Sequence, residues 1–120
     1  MATYKDLVAW QKGIELVTAV YRATREFPKE EMYGLTSQLR RAAVSVPSNI
    51  AEGQARYSHH EFQHFLRTAR GSLAEVETQP VIARNLEYLQ EKDLKELMRS
   101  TSELGRILNA LIAAVEKRTA

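Results

Sequence analysis

The chain has 120 residues, 44% of them hydrophobic and 27% charged, with a formal net charge of +2 and no cysteine. That is the size of one domain with one core, and the missing thiols exclude disulfides, thiolate metal sites and cysteine nucleophiles, as suits a cytoplasmic protein. No apolar stretch reaches the roughly 20 residues needed to cross a bilayer, Met1–Gln11 lacks the apolar run of a signal peptide, and the small charge excludes a globally basic nucleic-acid binder.

Apolar residues recur three and four apart along almost the whole chain, which predicts helices and no sheet. The first helix reads Leu7, Trp10, Ile14, Val17, Tyr21, with Asp6 placed to cap it and Phe27-Pro28 to end it. Val8, Leu16, Val20, Ile107 and Ile112 fall beside the main stripes; they either widen the core face or form an intersubunit face. A solvated connection follows, and Thr36 is placed to cap the second helix: Leu39, Ala43, Val46, Ile50, Gly53, Tyr57. Pro47 predicts a kink rather than a break, because the apolar spacing keeps its phase through it. Ser58 and Glu61 have capping-box spacing ahead of the third helix, Phe62, Leu66, Ala69, Leu73, Val76, Pro80, Ala83, continued by Leu86 and Leu89. Pro80 should bend it. After Gln90 the fourth reads Leu94, Leu97, Thr101, Leu104, Leu108, Leu111, Val115. Four helices with short connections predict an all-α, up-down-up-down antiparallel bundle over residues 1–120.

Charge is uneven. Arg40 to Arg70 holds five arginines, no lysine and two glutamates, whereas Ser72 to Glu96 holds six acidic and three basic residues. One part of the surface is thus expected to be cationic and another acidic. On the second helix Arg41, Ser45, Asn49, Glu52 and Arg56 share one face, and on the third Thr68, Ser72, Glu75 and Gln79 repeat the spacing. Antiparallel pairing puts Arg41 level with Glu75, and Glu52 near Gln63 and Arg67. The expected arrangement is a hydrogen-bonded polar seam, with a nucleic-acid contact surface as the alternative.

Ser37-Gln38-Leu39-Arg40-Arg41-Ala42-Ala43-Val44-Ser45-Val46-Pro47-Ser48-Asn49-Ile50-Ala51-Glu52-Gly53 resembles the signature of the 23S rRNA intervening-sequence proteins. So do Tyr4, Leu7 and Trp10, Phe27-Pro28, Tyr33-Gly34-Leu35-Thr36, Glu61-Phe62, Phe65-Leu66, Ala69, Gly71-Ser72-Leu73, Glu75 and Glu77. The resemblance spans nearly the whole chain in order; Pro80 departs from it, where an apolar helix former is expected. It implies a left-handed four-helix bundle assembled as a ring of five, with no established enzymatic activity. Related accessory proteins of diversity-generating retroelements bind a reverse transcriptase and nucleic acid through a cationic ring surface.

His60-Glu61-Phe62-Gln63-His64 matches H-E-x-x-H, in which two histidines one turn apart bind zinc and the glutamate activates water. The rest of a zinc protease is missing. Positions 67 and 70 carry arginine instead of the glycine and histidine of the longer pattern. Glu77 and Glu87 lie too far along the same helix to complete a tetrahedron. Glu61 is better explained as the capping partner of Ser58.

The expected function is therefore a non-enzymatic homo-oligomer, a pentamer on the resemblance, that needs no metal or cofactor and touches no membrane. It binds RNA or a nucleoprotein partner, such as a reverse transcriptase, through Arg40, Arg41, Arg56, Arg67 and Arg70, because guanidinium groups grip phosphate bidentately. A protein-only scaffold, its arginines paired with Glu52, Glu75 and Glu77, is the alternative; a zinc hydrolase on His60 and His64 is the remote one.

Overall fold

The computed structural model describes residues 3–119. Four helices carry most of them, α1 (Val8–Ala23), α2 (Leu35–Ala55), α3 (His59–Asn85) and α4 (Glu91–Thr119), with short 3-10 turns at Tyr4–Asp6 and Lys29–Glu31. No strand occurs among the described residues. Each helix packs on its two neighbours in the order α1, α2, α3, α4, and α4 closes back onto α1. Gly13 faces Pro47 while Arg40 reaches Thr24; Ser45 meets Ser72 while Arg56 meets Glu61; Arg67 reaches Glu116 while Arg70 reaches Asn109. Numbers rise on one helix as they fall on the next, so consecutive helices are antiparallel, as short connections require.

The stripes expected for α2, α3 and α4 do line the core: Leu39, Ala43, Val46 and Ile50; Leu66, Ala69, Leu73, Val76 and Ala83; Leu97, Thr101, Leu104, Leu108 and Val115 are all buried. α1 differs. Its buried residues are Ala9, Gly13, Leu16 and Val20, while Ile14 and Tyr21, expected inside, are exposed. The reason lies at Pro47. A Cβ on Gly13 would stand 3.1 Å from the Pro47 Cβ, so this helix pair approaches closely only along a face of small residues. Leu16, Val20 and Ile112 are thereby core residues, not an intersubunit face, and Ile107 packs partly against them.

Helix ends also depart from expectation. Asp6 does not cap α1; it closes a capping box with Thr3 around the preceding 3-10 turn. α1 stops at Ala23, before Phe27-Pro28, and the Thr24 hydroxyl donates back to the Val20 carbonyl. Thr36 lies inside the first turn of α2 with its hydroxyl buried and unpartnered, and Glu31 Oε1 accepts from the Leu35 N–H instead. Ser58 caps α3 by accepting from the Glu61 N–H at 3.3 Å, but the Glu61 carboxylate goes to Arg56 rather than back to Ser58. Both α2 and α3 run through their internal prolines, Pro47 and Pro80, which are buried.

α3 ends at Asn85, short of the Leu86 and Leu89 to which its stripe was extended. Tyr88 N–H bonds the Ala83 carbonyl and Glu87 N–H the Arg84 carbonyl, with Glu87 at φ 65°. This is a Schellman stop, built here without glycine. It exposes Leu86 and swings Leu89 back into the core.

Glu31 ties this end of the bundle together, since its second oxygen accepts from the Tyr88 hydroxyl at 3.1 Å. That bond, with burial and the nearby glutamate charges, raises the Tyr88 pKa above its usual value. The folded chain then holds the phenolic proton more tightly than the unfolded one. The contribution is complete below about pH 10 and is lost as pH rises through the folded value. The stability gap between wild type and Tyr88→Phe should therefore narrow above about pH 10, which urea titrations across that range would measure.

Candidate functional site

The polar seam between α2 and α3 forms only in part. The hydroxyls of Ser45 and Ser72 lie 2.9 Å apart, and the Asn49 amide donates to both the carbonyl and the hydroxyl of Ser45. Ser72 is buried, so this trio replaces water for groups taken out of solvent. The charged ends of the seam are different. Arg41 and Glu75 are both exposed, and neither makes a hydrogen bond or ion pair among the described residues. Thr68 turns its hydroxyl onto the His64 carbonyl, and Gln79 buries a carbonyl oxygen without a partner.

Glu52 does not meet Arg67. It pairs with Arg56 at 2.7 Å, and Arg56 also donates to Glu61 at 3.2 Å; all three are about half exposed. These carboxylates raise the Arg56 pKa, the Glu52 hydrogen bond most. Exposed pairs of this kind add little to stability because water and salt screen them. Glu52→Ala should leave the thermal midpoint essentially unchanged, where a buried seam would have lost much of it; a melting curve by circular dichroism decides.

The five candidate arginines do not gather on one face of the subunit. Arg40 lies over the Tyr21 ring, 4.6 Å from its centroid, and donates from Nε to the Thr24 hydroxyl at 2.8 Å, on the α1–α2 flank. Arg67 pairs with Glu116 and Arg70 donates to Asn109 Oδ1 at 3.2 Å, both on the opposite α3–α4 flank. Arg56 sits at the α2–α3 turn, over the Phe65 ring as well as beside its two glutamates. Only Arg41 points outward without a partner. Glu75 and Glu77, offered as partners for these arginines, make no ion pair with them; Glu52 pairs with Arg56 as offered, and Glu61 and Glu116 supply the other two pairs. The basic and acidic segments also interleave in space, because antiparallel packing lays the start of α2 beside the far half of α3.

His60, Glu61 and His64 are exposed on the first turns of α3. Glu61 is held by Arg56, and His64 stands edge-on to Phe65. Among the described residues no three His, Cys, Asp or Glu side chains converge as metal ligands. Purified protein should carry no stoichiometric zinc after dialysis against a weak chelator, and elemental analysis reading near one zinc per chain would contradict this.

A sequence model of the 23S rRNA-intervening sequence proteins matches residues 5–110. The chain belongs to that family. Its fold is also that of a crystal structure from Bacteroides thetaiotaomicron, described as a protein of unknown function from the S23 ribosomal protein family. That chain is 20% identical, with a TM-score of 0.81, and the alignment covers 91% of this chain and 98% of that one. No curated protein matches. Among the described residues, no helix is long and apolar enough to cross a membrane.

Within this family fold, sequence reasoning missed Tyr21 and Thr24 as the seat of Arg40, and Glu116 and Asn109 as the partners of Arg67 and Arg70. The signal was partial: counted from the short α3–α4 connection, the antiparallel register brings Asn109 to within a turn of Arg70 but leaves Glu116 roughly two turns from the level of Arg67.

Proposed function

We propose that the chain works in the cytoplasm as a non-catalytic homo-oligomer that holds RNA or a nucleoprotein partner through arginine side chains. The observation that carries this reading is a second apolar stripe on α1. Ile14 and Tyr21 stand exposed on α1 and Val44 on α2, with Val17 partly buried and the Arg40 guanidinium over the Tyr21 ring. Exposed apolar side chains grouped on a small domain are what a subunit interface covers. A ring needs two different faces on each subunit. Exposed Ile82 and Leu86 on α3, with Met32 and Tyr33 of the connection that Glu31 ties to Tyr88, supply the second.

One subunit at +2 has a weak field, whereas five copies, the number the resemblance implies, carry about +10. Arg41 is the first candidate for a phosphate contact. Arg40, Arg56, Arg67 and Arg70 each have a partner, but a guanidinium has five N–H donors and keeps some free. Their internal engagement also favours a second reading, a protein-only scaffold. Light scattering and RNA binding at low salt separate the readings. An oligomer that binds RNA supports the first, an oligomer that does not supports the scaffold, and a monomer at high concentration defeats both.

A further inference from the structure

A cavity of about 350 Å³ opens at the α2–α3 turn, between that turn, the first residues of the chain and the last turn of α4. Tyr4, Tyr57, His59 and Phe62 give it an aromatic wall, and Gln54 and Arg118 are among its polar lining. It lies at the small end of the range for ligand pockets, roughly 300–1,000 Å³.

Two side chains of this lining are left to solvent. Tyr57 closes α2 at φ 55°, a conformation that favours glycine, with its N–H on the Gln54 backbone carbonyl, and its ring is 90% exposed. Arg118 makes no ion pair among the described residues, although Glu116 lies two residues away. Meanwhile the floor is fixed. A Cβ on Gly53 would come within 2.7 Å of the Phe65 Cβ and 3.1 Å of Phe62 Cδ1, so α2 and α3 meet tightly beneath the opening.

We propose that this cavity takes an unpaired nucleobase of single-stranded RNA, stacked on Tyr57, with its phosphate held by Arg118. The inference rests on the RNA-binding reading above and narrows it to single strands. An aromatic ring exposed to water stacks any base, since every base has a π-face. Adenine has the larger π-face, so it should hold better than uracil. An arginine at the rim suits phosphate better than a peptide's apolar side chain.

The test uses labelled oligoadenylate, oligouridylate and a duplex RNA of equal length, titrated with the full chain at low salt. Oligoadenylate should bind tighter than oligouridylate, and both tighter than duplex. Tyr57→Gly, which relieves the strained φ and so keeps the fold, should weaken oligoadenylate binding roughly tenfold, as loss of one stacked base does, and leave duplex binding unchanged. If single strands and duplex bind alike and Tyr57→Gly changes neither, the pocket inference falls while RNA binding stands. If no RNA binds at all, both fall. If Tyr57→Gly instead changes the oligomer size, the cavity is a contact for another copy and the inference is overturned.

Discussion

Leu73→Ala should lower the unfolding free energy by about 3–5 kcal/mol, the range for deleting a leucine that its surroundings cannot collapse onto. Leu73 lies near the middle of α3, 1% exposed, and its Cδ2 stands 3.7 Å from where a Cβ of Gly105 on α4 would be. The glycine opposite has no side chain to move into the space. On the adjoining position Ser72 is tied to Ser45, which holds α3 at its distance from α2. The cavity therefore stays open. A domain of this size has a total stability of about 5–15 kcal/mol, so the loss is a large share of it. Urea unfolding should show a lower midpoint at an unchanged slope, since the surface exposed on unfolding is nearly the same. Ile82→Ala, at an exposed position of the same helix, should shift stability by about 0.5 kcal/mol or less if the subunit is studied as a monomer. A Leu73→Ala loss under about 1 kcal/mol would mean that α3 and α4 pack loosely.

The helical fold was legible because three of the four helices spend large residues on the face they bury. α1 was not, and the reason is instructive. It carries two apolar stripes offset by one residue, and the one that reads stronger, Leu7, Trp10, Ile14, Val17, Tyr21, is the outer one. The inner stripe contains Ala9 and Gly13, which score low as apolar residues but are selected by the close approach to Pro47. Periodicity measures hydrophobicity, and here fit decides. Ser58 caps α3 as expected, but the cap of α2 failed for a related reason. Thr36 has the right chemistry to cap α2, but Glu31, brought there by the 3-10 turn before it, takes the role, and no local spacing rule anticipates that turn.

The candidate site was less legible. Ser45, Asn49 and Ser72 could be placed together because helical spacing and a tight turn fix their level. The partners of the arginines could not, since long side chains on a surface choose among carboxylates on several helices. The helical register sets Arg67 near Glu52, yet its side chain pairs with Glu116 of α4. On the proposed assembly, what the arginines do depends on neighbouring copies of the chain.

The apolar flank of α1 makes that dependence measurable. Ile14→Glu should convert the oligomer to monomer while leaving the subunit folded. The side chain is 42% exposed in the subunit, so a carboxylate there stays in water and costs about 0.5 kcal/mol or less. In the proposed assembly the same carboxylate would be desolvated against the apolar side chains of the facing copy. Light scattering should then give the mass of one chain, with an unchanged helical spectrum. RNA affinity should fall with it, on the order of 10²–10⁴-fold, because linked subunits hold one strand at a high effective concentration and a single subunit does not. The wild-type oligomer should also lose affinity steeply with salt, on the order of 10³-fold between about 50 and 200 mM when six or more phosphates are engaged, whereas the monomeric variant should show a shallow slope from its few contacts. Ile14→Glu that stays oligomeric would move the interface elsewhere. A monomeric variant with undiminished affinity and an unchanged salt slope would separate RNA binding from assembly, and would leave Arg41 and its neighbours to act within one subunit.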